Sequence, residues 1–153
     1  MISPELLRRH TFFGGFTDKE LKGLAMAAQE KSVAEGEALF AEGDTAEAIY
    51  FLADGEMEIL IHADEEGRES IPLSTLPAGE LIGWSALIEP RIFTASARAT
   101  RACRVVVFPA SELEKLSADL HFYNLLLKKV AQVISRRLKD ARIQLLSLSA
   151  HPV

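Results

Sequence analysis

The chain has 153 residues, 48% hydrophobic and 25% charged, which is enough for one domain with a real core and ordinary for a globular protein. A formal net charge of −5 counts against a free-standing nucleic-acid binder. The one cysteine, Cys103, excludes an internal disulfide, and no apolar run suits a membrane span or a signal peptide, so the expected compartment is the cytoplasm.

Ser3 caps a first short helix, with Pro4 at its first position, where proline is tolerated. Leu6, Leu7, Phe12 and Phe13 give it an apolar side, and Gly14-Gly15 ends it. Thr17-Asp18-Lys19-Glu20 reads as a capping box before Leu21, Leu24, Ala25 and Ala28 at helical spacing. Residues 1–29 are therefore expected to be helical. From Glu30 onward, turn signals recur about every eight to twelve residues, the pattern of short antiparallel strands. Gly36 and Gly43-Asp44 bracket residues 38–40. Residues 48–52 and 57–61 flank Asp54-Gly55, a hairpin signal. A polar turn at 64–67 leads into residues 69–76, and residues 103–108 form a buried-looking strand stopped by Pro109. About eight strands over 30–110 predict a mainly β fold, a jelly-roll barrel or double-stranded β-helix with flanking helices.

Residues 77–99 interrupt that pattern. A Pro-Ala-Gly turn closes one apolar run. Gly83 then opens about one turn of helix over 83–88, which stops before Pro90, and an extended stretch resumes at 93–99. A helical turn between two strands points free backbone N–H groups outward and suits an anion, phosphate above all. The same pattern also describes a loop that merely crosses a barrel end.

Ser111-Glu112-Leu113-Glu114 reads as a second capping box opening a short helix to about Leu116. A long helix follows, over about 118–148. Its Leu127, Val130, Ile134, Leu138, Ala141, Leu145 and Leu148 recur three and four residues apart as one stripe. Either this helix folds back on its own barrel, or its far half pairs with a second chain; the homodimer is the expectation. Arg136, Arg137, Lys139 and Arg142 are read as a solvated or inter-subunit face. Of the four histidines, His10, His62, His121 and His151, none makes a His-x-His pair, and all are expected at the surface. Cys103 is expected in the core. With no nucleophile elbow, P-loop or dinucleotide fingerprint, neither catalysis nor a metal is expected.

This order of elements resembles the cyclic nucleotide-binding domain, as in the sensor half of the catabolite-activator class and the regulatory domains of cyclic-nucleotide-dependent kinases. Gly36, Gly43-Asp44, Asp54-Gly55, residues 77–83, Thr94-Ala95 and Ala97-Arg98-Ala99 carry the resemblance, the last groups matching the family's phosphate-binding cassette. It implies a glutamate after the cassette glycine, gripping a ribose hydroxyl, and an arginine before the Ser/Thr-Ala pair, gripping the cyclic phosphate. Trp84 and Phe93 stand in those places, so the cassette is degenerate. An indole cannot accept a hydrogen bond. Charge-assisted bonds of about 1.5–3 kcal/mol each are lost, weakening a cyclic nucleotide by roughly two to four orders of magnitude. Backbone groups of Ser85 and Ala86 remain. Arg91 either takes over the phosphate or is a solvated loop arginine; Trp84 either lines or plugs the pocket. After Arg136-Arg137-Leu138, Ala141-Arg142 stand where the class places purine-contacting hydroxyls.

The implied ligand-binding set is Gly83, Trp84, Ser85, Ala86, Arg91, Phe93, Thr94 and Ala95. The expected protein is a stand-alone, non-catalytic sensor module with altered or lost nucleotide specificity. It uses no cofactor, takes a cyclic nucleotide or other small anion, dimerises through the long helix of its C-terminal helical segment (residues 111–148) and reports to an unknown protein partner. Only residues 149–153 follow the long helix, so neither nucleic acid nor membrane is an expected partner of this chain alone. Two rivals remain: a ligand-free interaction or dimerisation module, and the sensor half of a transcription regulator without its DNA-binding domain.

Overall fold

Ser3 accepts a hydrogen bond from the Glu5 N–H at 3.3 Å, and Pro4 opens α1, Pro4–Arg8. In the computed structural model, which describes residues 1–66 and 68–150, a 3-10 turn at Thr11–Phe13 leads to α2, Asp18–Ala27. Its capping box closes both ways: the Glu20 N–H donates to Thr17 Oγ1 at 3.1 Å, and the Thr17 N–H donates to Glu20 Oε1 at 2.8 Å.

Eight strands follow: β1 Gln29–Val33, β2 Ala38–Phe40, β3 Ala48–Asp54, β4 Glu56–His62, β5 Ser70–Pro77, β6 Leu81–Ile82, β7 Ser96–Ala99 and β8 Cys103–Pro109. They form two antiparallel sheets, ordered β1-β8-β3-β6 and β2-β7-β4-β5, the jelly-roll expected. In the first sheet alternate residues go to different cores. Leu52, Cys103 and Val105 fill the space between the sheets with Met57, Leu76 and Ala97. Ile49, Phe51, Val106 and Phe108 face outward, where the helices cover them.

The hairpin expected at Asp54-Gly55 does not form. β3 pairs with β6 and β8, while β4 pairs with β5 and β7, so this turn carries the chain from one sheet to the other. Gly55 has φ 100°, and a Cβ there would lie 2.6 Å from both the Ala102 carbonyl oxygen and Cys103 Sγ. The glycine serves a close backbone crossing, which the local turn code does not separate from a hairpin. The expected polar turn at 64–67 includes Gly67, which lies outside the described residues.

α3, Ala110–Leu116, starts directly from Pro109, with no side-chain cap, so the capping box expected at Ser111 does not form. The Ala110 N–H is instead satisfied by the Glu47 carbonyl at 2.8 Å. α4, Leu120–Ala150, starts beside Asp119, whose Oδ1 accepts from the His121 N–H at 2.9 Å. The single expected stripe divides in two. Phe122, Leu126, Val130 and Val133 are buried beneath the helix, whereas Leu127, Leu138, Leu145 and Leu148 are 41–73% exposed. α4 therefore has one apolar face against the domain and another against solvent. Cys103 is buried, as expected. His10 is not a surface residue: half-buried with its ring 4.8 Å from that of Phe51, it has a pKa lowered by burial and then by Arg9. His151 lies outside the described residues.

Candidate functional site

β6 ends at Ile82, and the chain must reverse within one residue. Gly83 does this with φ 83°, and a Cβ there would lie 3.1 Å from Tyr50 Cδ2 and 3.2 Å from Phe93 Cε1. The 3-10 turn Trp84–Leu87 follows, held by the Ala86 N–H on the Gly83 carbonyl at 3.3 Å. Across from it, the Phe93 N–H donates to the Asp44 carbonyl at 2.9 Å, fixing the strand before β7. The Phe93 ring stacks on Phe40 at 3.8 Å and 11°.

These elements border an inner cavity of about 50 Å³, partly open to solvent and lined by Gly83, Trp84, Ser85, Phe93, Thr94 and Ala95 of the expected set. Ile59, Trp84, Thr94, Ala95 and Arg137 also line a second cleft, of about 460 Å³, between β4, β5 and α4. Trp84 thus lines both spaces. Two expected residues are not at the cavity wall. Ala86 is buried beneath the turn. Arg91 is exposed on the following turn and lines neither space. It is held there by its own backbone: its N–H donates to the Ile88 carbonyl and its carbonyl accepts from the Ala46 N–H, both at 2.8 Å.

The residue that sequence reasoning missed is Arg137. Its side chain is only 18% exposed, so it is not part of a solvated basic face. The guanidinium lies 4.8 Å over the Trp84 ring, and Nη2 donates to the Leu81 carbonyl at 2.7 Å. Burial pushes its pKa down from the ordinary value, and Glu80, 3.6 Å away, opposes this; an arginine stays charged here. Arg136 holds the same Glu80 oxygen at 2.8 Å, and Gln144 Nε2 donates to the Leu73 carbonyl at 3.1 Å. α4 is therefore latched across the cleft by side chains that also line it. The signal was present in the helical phase. Arg137 lies four residues after Val133 and seven after Val130, on the buried face.

The inner cavity brings together one cation, the Ser85 and Thr94 hydroxyls and aromatic walls. Among the described residues no group of three or more His, Cys, Asp or Glu side chains is placed to hold a metal. The arrangement suits binding of a small anion.

The family model of the cyclic nucleotide-binding domain matches residues 30–119. The CRP-like cAMP-activated global transcriptional regulator of Mycobacterium tuberculosis is 25% identical over 144 residues, 94% of this chain and 62% of that protein. The cAMP-dependent protein kinase type II regulatory subunit of Drosophila melanogaster is 26% identical over 144 residues, 94% of this chain and 35% of its own length. This chain therefore spans less than two thirds of either. Among solved structures, a Geobacter metallireducens GS-15 protein provisionally classed as cyclic nucleotide-binding is 32% identical, with TM-score 0.79, over 90% of this chain and 99% of that one. The Thermus thermophilus catabolite activator protein shares the fold, with TM-score 0.70 and 24% identity over 96% of this chain and 63% of that one.

Proposed function

The chain belongs to the cyclic nucleotide-binding domain family, and from that premise we propose that it is a non-catalytic sensor module with altered ligand specificity. The ligand is a small anion, and its site is the inner cavity with the adjoining cleft. Gly83, Trp84, Ser85, Phe93, Thr94 and Ala95 form the barrel side, and Arg137 forms the helix side. One observation carries this reading: the only charged side chain lining the inner cavity among the described residues comes from α4. An anion that recruits Arg137 competes with its contacts to Leu81 and Glu80. Occupancy then changes the latch that holds α4, and a ligand that binds the two latch states unequally shifts their populations. The family resemblance and two regulatory relatives support the sensor role. The aromatic Trp84 and Phe93 walls support the change of specificity.

Calorimetry of the full chain against cyclic AMP, cyclic GMP, cyclic dinucleotides and simple organic carboxylates tests this. Saturable heat from any of them, abolished by Ala95→Leu at the shared wall, is the expected result. Silence from the whole panel overturns it. That silence would favour the second reading, a ligand-free interaction module, for which the small volume of the inner cavity and the tight Phe40–Phe93 stack speak.

In both readings the partner includes a second copy of this chain. Leu120, Leu127, Ile134, Ala141 and Leu148 alternate with Asn124, Ala131, Leu138 and Leu145 at three- and four-residue steps, the heptad of a two-stranded coiled coil.

A further inference from the structure

We propose that the ligand is an amphipathic monocarboxylate, its carboxylate in the inner cavity against Arg137 and its apolar body in the larger cleft beneath α4. This rests on the sensor reading and names the ligand class of that same site.

Size decides what enters the inner cavity. At about 50 Å³ it is a fraction of the roughly 150 Å³ that accepts a benzene ring. A carboxylate, three heavy atoms, fits the inner cavity alone, whereas a cyclic phosphate fused to ribose must extend into the cleft. Charge decides which small group is favoured. Arg137 carries five N–H donors. Among the described residues its one side-chain hydrogen bond runs to the Leu81 carbonyl, and Glu80 Oε2 lies 3.6 Å from the same nitrogen. Arg137 lines the inner cavity, so a carboxylate there competes with Leu81 and Glu80 for its N–H donors. A planar guanidinium fork matches a carboxylate with two parallel bonds, and the Ser85 and Thr94 hydroxyls line the same space.

The larger cleft sets the rest of the molecule. At about 460 Å³ it lies within the ordinary range for small-molecule sites. Ile61, Leu73, Leu76 and Trp84 give it apolar walls. Its charged lining is Arg136 and Arg137 against Glu80 and Asp140, which cancel. Arg136 is already engaged by Glu80 at 2.8 Å. With the lining already balanced, each negative charge that the ligand adds leaves the site net anionic, so the fewest charges are favoured. That selects a single carboxylate on an uncharged, apolar body.

Trp84 is the only tryptophan, so its emission reads the cleft directly in the full chain. The probes are octanoate, its neutral analogue octanamide, cyclic AMP and cyclic GMP. The variants are Arg137→Gln and Arg137→Lys, each checked for a cooperative melt. Octanoate is expected to change the emission saturably, with octanamide roughly ten- to a hundredfold weaker, the worth of a charge-assisted pair. Arg137→Gln is expected to erase that preference and Arg137→Lys to keep part of it. Equal titration by octanoate and octanamide in the wild type overturns the proposal, whether or not either variant folds. A preference that survives in a folded Arg137→Gln chain also overturns it. Saturation by a cyclic nucleotide with no response to octanoate overturns the monocarboxylate and leaves the sensor reading standing. Silence from all probes removes both.

Discussion

Gly83 is placed where a side chain has neither the backbone geometry nor the room. Its φ of 83° is left-handed, and the Tyr50 and Phe93 rings crowd the missing Cβ at 3.1 and 3.2 Å. The left-handed backbone alone costs an ordinary residue about 1–2 kcal/mol. Gly83→Ala is therefore expected to lower the thermal midpoint by about 3–8 °C, read by circular dichroism. An unchanged midpoint would mean that the turn relaxes freely and does not fix the cavity wall. The barrel side of the site was legible at this scale because its residues are neighbours in sequence. Gly83, Trp84 and Ser85 are contiguous, and Phe93 is set by the next strand. Arg137 was legible only in the phase of its helix, behind Val130 and Val133; its partner was not, because the hydrogen bond to Leu81 spans 56 residues. Arg91 shows the converse, close in sequence to the cavity yet turned away by its backbone bonds.

Among the elements, α4 alone lines both the cleft and the proposed dimer seam. Its inner face is spent on Phe122, Leu126, Val130 and Val133, and Leu120, Leu127, Leu138, Leu145 and Leu148 of its heptad are open to solvent. Leu138→Glu, at a position 50% exposed in the single chain, is expected to change the monomer fold by less than about 0.5 kcal/mol. It is expected to turn a dimer into a monomer in sedimentation equilibrium. Ile143→Glu is the control, because Ile143 is similarly exposed at 54% but lies off the heptad seam. Equal effects of the two substitutions, or none from Leu138→Glu, would remove the coiled-coil interface. The strands show what periodicity does and does not encode. Turn chemistry located β2, β3, β4 and β8, since those signals are local. It misassigned Asp54-Gly55 because the partners of β3 and β4 are set by two separate sheets. The missing cap at Ser111 has the same origin, for Pro109 and the Glu47 carbonyl settle that helix start from outside it.

Across the whole molecule, one ion pair among the described residues joins the N-terminal helices to α4 and carries a pH signature. His121 Nδ1 lies 2.8 Å from Glu20 Oε2, and Glu20 is buried. Burial alone would raise the Glu20 pKa, but bonds to His121 and Thr17 outweigh it and hold the carboxyl below its ordinary 4.5. The hydrogen bond to Glu20 raises His121 above its ordinary 6.5. A lowered carboxyl stabilises above its unfolded pKa and loses that as pH falls through the folded value. A raised imidazole stabilises below 6.5 and loses that as pH rises through the folded value. The pair thus supports the fold most between these limits. The thermal midpoint is expected to fall more steeply above pH 6.5 in the wild type than in His121→Gln. His10 acts in the opposite sense, since burial lowers its pKa, and it is common to both chains, so their difference isolates the pair. Identical pH profiles would show that the pair contributes nothing.

On the proposed sensor reading, occupancy would be read along the whole chain, because the cavity wall on α4 and the proposed dimer seam belong to one helix. Energy transfer from Trp84 to an acceptor on Ser149→Cys, near the far end of α4, measures this most directly, Cys103 being buried. Donor lifetimes would be compared with and without saturating octanoate, cyclic AMP or cyclic GMP. The expected result is a changed transfer efficiency with whichever probe binds, and no change in Arg137→Gln. Saturable binding that leaves the transfer unaltered would contradict an α4 that reads the cavity.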